Sequence, residues 1–348
     1  MSKIQTKLNK TKSKLTLKAG EYFIDNPLFI DKSCINFTGE IWSYPNDPNG
    51  VFESFVGTKF KIKKDSFGLQ VGTGSCIGGV MVSNFGFQGT IVGMDTRKQF
   101  NKESLTNNAG IVFSDGRVDQ AEFSKLSFTG LSIGMLATGN SEIDGCTFDK
   151  CNFDGCYVGI YFNPRASYYP KITNCVFGDN PSYGVYVDGT NVQMHHLELC
   201  NSKFVRNCGA NIHSTENASI FFNNVNECLI YNNVIDDAGS FWYYNDDATS
   251  NDERQISSTD CVGILVKGDK NNVFSNVITN SKKVSILVKG NNNNLVDNIV
   301  DGDVIIDGEN NVVNSLVFTT KNAKLILRGI AQTTTEILGV SPDRVVKE

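Results

Sequence analysis

Two acidic residues, Asp188 and Glu198, stand on either side of the segment GTNVQMHHL (189–197). Cleavage of a glycosidic bond needs such a pair, one group to protonate the departing oxygen and one to attack or activate. Asp188 ends one strand-like run and Glu198 begins the next, so both border a single turn. Aligned with equivalent positions elsewhere in the chain, Asp188 falls between Asn163 and His213. Glu198 falls over Lys171, with Leu229 on its other side. One carboxylate beside a cation and another among neutral polar groups can have separated pKa values, as a division between acid and base requires. The alternative is that both are ordinary solvent-facing residues at a strand edge.

Other side chains fit the same chemistry. Tyr161, Tyr168, Tyr169, Phe241, Trp242, Tyr243 and Tyr244 crowd the neighbouring segments, as walls for a sugar ring or as core. Arg165 and Arg206 are placed to bond hydroxyls or to pair with surface acids. Asp154 and Asp179 each fall five residues before a glycine and are expected to stack. Two stacked acids repel unless something binds them, so both are candidate substrate contacts. His195, His196 and His213 lack metal-ligand spacing with acidic or Cys neighbours, and no metal site is assigned. No P-loop or dinucleotide fingerprint is present.

A repeat positions these groups. Glycines at 110, 134, 159, 184, 209, 239 and 263 each open a short apolar burst, with steps of 24, 25, 25, 25, 30 and 24 residues. A period of this size, built of strand-like runs without helical pattern, is the signature of a β-solenoid. Four residues after each glycine come Ser114, Thr138, Asn163, Asp188, His213, Tyr243 and Lys267, an expected column. A second strand aligns on Phe128, Phe148, Phe177, Phe204 and Ile235. Six positions before these stand Glu122, Glu142, Lys171, Glu198 and Leu229, followed by an inward ladder of Phe123, Ile143, Ile172, Leu199 and Ile230.

The expected architecture is all-β, a single-domain parallel β-helix over residues 79–317. Irregular first coils form an N-terminal cap (1–78), and 318–348 close the other end, because open solenoid ends expose strand edges. Asn-rich starts at Gly268, Gly290 and Gly308 suit tight turns and stacked amides. The polar stretch at about 244–260 reads as a lateral loop beside the Asp188 column, or as a solvated loop without a role. The basic run Lys3 to Lys18 reads as a solvated edge strand or cap.

Composition narrows the partners. A net charge of −5 with no basic stripe disfavours nucleic acid, and no apolar stretch is long enough to span a membrane. Ten cysteines form no CxxC pair and read as buried reduced thiols. With no apolar leader at the start, this points to the cytoplasm; a leader removed beforehand would point to secretion instead.

The blocks GEIWSYPNDPNGVFES (39–54), FQGTIVGMDTR (87–97), DQAEFSKLSF (119–128), PRASYY (164–169), DNPSYGVY (179–186), MHHLE (194–198), FWYY (241–244) and TTTEILGV (333–340) resemble the inulin fructotransferases and the related difructose dianhydride III hydrolases. The resemblance implies a right-handed parallel β-helix that assembles as a homotrimer with active sites between subunits. It implies Asp188 and Glu198 as the catalytic pair, Asp154 as a supporting acid, and no metal or organic cofactor. The transferases release a difructose dianhydride from inulin by intramolecular fructosyl transfer, and the hydrolases open that dianhydride to inulobiose. The cytoplasmic reading favours the hydrolase, since inulin is a polymer processed outside the cell. Asp154, Asp179, Arg165, His213, Trp242 and Tyr243 are the expected substrate contacts. Two other classes fit a solenoid: a glycan-binding β-helix without turnover, and a Ca²⁺-dependent polysaccharide lyase.

Overall fold

The computed structural model describes residues 2–40, 42–43, 56–63, 65–89, 108–190, 192–209, 216–243, 254–257 and 261–348, with backbone alone at 42–43, 56, 193, 241–243 and 254–257. Among these residues the strands form two long sheets of 22 and 15 members, almost wholly parallel, and one two-stranded antiparallel hairpin. Most strands pair with their equivalents one coil earlier and one coil later, which makes the chain a parallel β-helix.

The coil at 158–179 shows how a turn of the solenoid is built. Val158–Asn163 lies in the second sheet, and Ala166–Tyr168 continues it. Lys171–Thr173 and Val176–Gly178 then form the first sheet. Single residues in left-handed backbone make three of the corners: Tyr169, Asn174 and Asp179, with φ of 57°, 54° and 49°. One such residue turns the chain sharply enough for the next strand to stay in register.

Two inward ladders fill the core. Phe87, Phe128, Phe153, Phe177 and Phe204 stack with centroids 4.5–5.1 Å apart and planes within 7°. The glycine repeat exists because of them. A Cβ at Gly134 would stand 2.5 Å from both the Phe153 ring and the Gly159 carbonyl oxygen. The second ladder occupies the inner side of a corner, where Cys151, Cys175, Ser202, Asn233, Asn276 and Asn298 stand on successive coils. Asn233 and Asn276 each give the side-chain oxygen to the backbone N–H of the rung before and the amide nitrogen to a buried carbonyl. The amide ladders expected in the C-terminal coils are present, and Asn271, Asn293 and Asn311 make a parallel one.

Three expected registers slip. Phe148 stacks on Phe123, not in the Phe128 ladder, where Phe153 takes its place. The motif CTFDKCNFD (146–154) offers two phenylalanines five residues apart, and sequence alone does not choose between them. In consequence Thr147 and Phe148, rather than Glu142 and Ile143, stand over Lys171 and Ile172. The glycine column passes from Gly184 to Ser219 and then to Gly263. Gly209 and Gly239 instead open two insertions ahead of second-sheet strands. The second insertion is a hairpin that pairs Ser240–Tyr243 with Arg254–Ser257.

At the N-terminal end the basic run is both cap and edge strand. Lys3–Lys10 is a helix, capped by Ser2 Oγ on the Gln5 N–H and packing Leu8 onto the core, and Lys14–Leu17 is a strand that pairs with Asn36–Gly39. At the other end Leu325–Arg328, Glu336–Leu338 and Val345–Lys347 continue both sheets, so pairing runs on past residue 317. Eight cysteines are free thiols. Cys208 and Cys261 form a disulfide, Cα atoms 6.4 Å apart, against the reading of all ten as reduced. They frame the two insertions, which bring residues 53 apart in sequence onto adjacent rungs.

Replacing Asn276 by Ala should cost about 3 kcal/mol or more of unfolding free energy, because buried groups on Asn233, Asn298 and Ile230 lose partners together. Urea unfolding measures it, with exposed Ile299→Ala as a control expected to change stability by under about 1 kcal/mol.

Candidate functional site

Asp188 closes the strand Tyr183–Asp188, every residue of which is buried. It is itself only 3% exposed, against the alternative of an ordinary solvent-facing residue at a strand edge. Its Oδ1 accepts the Thr190 N–H at 3.1 Å and Asn223 Nδ2 at 3.0 Å. Its own carbonyl accepts Asn163 Nδ2 at 2.6 Å. The rung after Asp188 therefore carries Asn223, not His213, followed by Lys267 in place of Tyr243. The displacement comes from the insertion that begins at Gly209. His213 lies outside the described residues.

Glu198 opens the strand Glu198–Cys200 and is half-buried. Lys171 stands one rung before it and Leu229 one rung after, as the sequence suggests. Lys171 Nζ reaches Glu198 Oε2 at 2.7 Å, and this bond pushes the lysine pKa up. Tyr231 donates its hydroxyl to the same oxygen at 3.3 Å. The Tyr231 pKa is raised as well, first by its hydrogen bond with Cys200 and then by burial. Two donors on Oε2 hold the carboxyl by one oxygen and leave Oε1 without a hydrogen bond among the described residues. Tyr231 and Asn223 were not singled out from sequence. The Tyr231 signal was its position, two residues after Leu229 on the same outward face.

The segment between the two acids runs through the strand Gln193–His195 and the corner residue His196. Tyr168 stacks on His195 at 5.8 Å and Tyr169 on His196 at 4.8 Å. Glu227 Oε2 faces both histidines, 3.9 and 3.6 Å away. Tyr161, in contrast, is buried against Tyr186 on the outer face of the second sheet.

The remaining candidates gather elsewhere. Asp154 pairs in register with Gly178, and Asp179 occupies the next corner, so the two acids are offset by one residue rather than stacked. Asp179 is taken up by a two-pronged bond from Arg206, Nε to Oδ1 at 2.7 Å and Nη2 to Oδ2 at 2.6 Å. Asp154 makes no side-chain hydrogen bond among the described residues. Its pKa is pushed up to about 7, by burial first and by Asp179 second, against the pull of Arg206. Below this group opens a polar cleft of ≈ 590 Å³ lined by Arg206, Asp236, Asp237, Asn280, Lys282 and Asp301. These residues stand at the far end of the first-sheet strands from Glu198.

Arg165 is an exposed side chain paired with Glu142. Trp242 and Tyr243 belong to the hairpin strand, and their side chains lie outside the described residues. The hairpin is rooted where the second-sheet strand Cys261–Lys267 begins, while the Asp188 column is at that strand's end, marked by Lys267. Its root is therefore beside the Arg206 cleft, not beside Asp188. Among the described residues no group of three His, Cys, Asp or Glu side chains is placed to hold a metal ion, and no helix is long and apolar enough to cross a membrane.

Comparison with known proteins bears on the fold. The family profile described as "Right handed beta helix region" matches residues 68–235. DFA-IIIase from Arthrobacter chlorophenolicus A6, solved without its lid, superposes with a TM-score of 0.66 at 15% identity, covering 96% of this chain and 86% of that one. The same enzyme in complex with DFA-III gives 0.65 at 14% identity, covering 96% and 86%. The Agl-KA catalytic domain gives 0.55 at 10% identity, covering 99% of this chain and 63% of its own. No curated protein matches the sequence. The chain has a right-handed parallel β-helix fold, the fold of DFA-IIIase.

The Asp154 carboxyl generates a prediction. Its folded pKa is raised far above the unfolded value of 3.8, so between those values the folded state holds a proton that the unfolded state has lost. Stability from this group is therefore highest below about pH 4 and falls as pH rises towards 7. Asp154→Asn should leave stability little changed at pH 4 and raise it by about 3–4 kcal/mol at pH 8. Thermal unfolding of both proteins across that range measures the difference.

Proposed function

We propose that this protein is a carbohydrate-active enzyme that cleaves the fructosyl linkages of difructose dianhydride III, as a hydrolase giving inulobiose. The observation carrying the reading is the Asp188–Glu198 turn. A buried aspartate and a half-buried glutamate border one segment, on a fold shared with an enzyme crystallised with DFA-III. The absence of a basic stripe and the presence of Tyr and His rings beside the acids agree with an uncharged, hydroxyl-rich substrate.

In this mechanism Glu198, which must enter the reaction with a proton on Oε1, gives it to the departing glycosidic oxygen as the bond from the fructosyl carbon to that oxygen breaks. The bond's electron pair goes to the oxygen, and Glu198 becomes a carboxylate. Lys171, already on Oε2, stabilises that new charge, and Tyr231 keeps the group oriented. Asp188, aimed by Thr190 and Asn223, attacks or stabilises the fructosyl centre. Water then adds to that carbon and gives its proton to Glu198, and where Asp188 had bonded the carbon that bond breaks with its electron pair returning to the carboxylate. In the transferase variant of this chemistry, a hydroxyl of the adjoining fructose takes the place of water, favoured by being held close. Arg165 stands on the rung before this turn, next to Ala166, which pairs with Gln193, and is held by Glu142. The Asp154, Asp179 and Arg206 side chains lie apart from the turn within one chain. Their part in substrate contact belongs to the proposed homotrimer, in which sites form between subunits.

Incubating the purified protein separately with difructose dianhydride III and with inulin tests the reading. Inulobiose from the dianhydride, with inulin intact, is the expected outcome, whereas dianhydride accumulating from inulin would assign the transferase reaction. No product from either would overturn the proposal. Asp188→Asn and Glu198→Gln should each lower kcat by about a thousandfold or more. Lys171→Met should lower kcat about ten- to a hundredfold with KM little changed, and Lys171→Arg should restore part of the loss.

A further inference from the structure

One corner of the solenoid carries Gln120, Gly145, Tyr169, His196 and Glu227 on successive rungs, all in left-handed backbone with φ between 47° and 59°. Most corners elsewhere use Asn, Asp, Gly, Ser or Lys. An aromatic residue is disfavoured in this conformation, so Tyr169 and His196 need a reason. Their rings lie nearly parallel, 9° apart at 4.8 Å, which covers one face of Tyr169. The other face points to the rung of Gly145, which has no side chain and is exposed. Tyr169 is accordingly 64% exposed.

The next side chain beyond Gly145 is Gln120, whose Cγ would lie 3.6 Å from a Cβ at position 145. The result is a slot one rung thick, with the open tyrosine face on one side and Gln120 on the other. Two rungs span about 9.6 Å, so a ring midway would stand about 4.8 Å from each wall. That is the spacing already seen between Tyr169 and His196. The rim is polar. Asp144 accepts the Tyr168 N–H at 3.0 Å and pairs with Arg117 at 3.2 Å, and Arg117 also holds Asp119 at 2.7 Å. A saturated ring with C–H groups on its face and hydroxyls on its edge satisfies both surfaces; a flat apolar ring satisfies only the first.

We infer that this slot is a subsite for one sugar ring of an oligosaccharide. The inference rests on the proposed function for the identity of the sugar, which is a fructosyl unit. The slot lies two rungs, about 10 Å along the axis, from the rung of His196 and Glu198. A unit bound there belongs to a chain longer than the dianhydride. The compact dianhydride is expected to leave it empty.

Calorimetric titration in the Glu198→Gln background, where ligand is not consumed, tests the slot with oligofructosides of four and five units and with difructose dianhydride III. Tyr169→Ala should weaken oligofructoside binding about tenfold, leave dianhydride binding unchanged, and leave the thermal transition in place. Tyr169→Phe should bind like the parent. Equal oligofructoside affinity with and without the Tyr169 ring overturns the subsite. If the parent binds no fructan, titration moves to gluco-, manno- and galacto-oligosaccharides. A saccharide whose binding depends on Tyr169 upholds the slot while the fructan reading falls. Finding none that depends on it overturns the slot.

Discussion

Everything in this molecule depends on parallel pairing between consecutive coils. Each rung's backbone hydrogen bonds are made with the rungs before and after it, so a residue's neighbours are set by register rather than by sequence distance. Register in turn depends on corners turned by single left-handed residues, which keep strand lengths constant from coil to coil. Once these hold, like side chains fall into columns about 4.8 Å apart. That distance suits stacked phenyl rings and allows an asparagine to bond along the column. It is unfavourable for stacked like charges unless a cation or an offset intervenes.

The candidate site is a consequence of that geometry. Glu198 has a lysine one rung away because the column places Lys171 there, and the ion pair needs no loop to assemble it. Asp188 can be buried as an acid because Asn223, next in the column, and the Thr190 main-chain N–H both donate to its carboxyl. At the opposite end of the first-sheet strands the same rule produces a different outcome. Asp154 and Asp179 come close enough to raise one pKa, and the corner that follows supplies Arg206 to the other. Two acidic groupings with contrasting electrostatics thus arise from one repeating frame.

The legibility of the fold and site follows the same logic. The solenoid was visible because the coils between Gly110 and Gly184 have nearly constant length, and the Lys171–Glu198–Leu229 column because each member stands six residues before the aligned Phe177, Phe204 or Ile235. Where lengths vary, reading by spacing failed: His213 and Tyr243 were placed on the Asp188 column, yet insertions before Asn217 and Cys261 move them off it. CTFDKCNFD defeated the alignment differently, since two equally good phenylalanines compete for one rung. The burial of Asp188 was hidden because an outward strand position is normally wet. Tyr231 and Asn223 were missed because their roles exist only through neighbours 33 and 35 residues away.

The interior and exterior of a β-helix answer to separate demands. Inward columns need only stackable residues: phenylalanine, small thiols, serine and asparagine succeed one another in the same positions here without disturbing the coil. The fold can therefore persist at 15% identity, and likeness of fold alone says little about the reaction. Chemistry has to be argued from outward columns and corners, where the frame does not dictate residue type. A tyrosine and a histidine in left-handed corners, and a lysine set on a glutamate, are departures of that kind. Because the frame would accept glycine or asparagine at those corners at lower cost, the energy spent there points to demands made from outside the core.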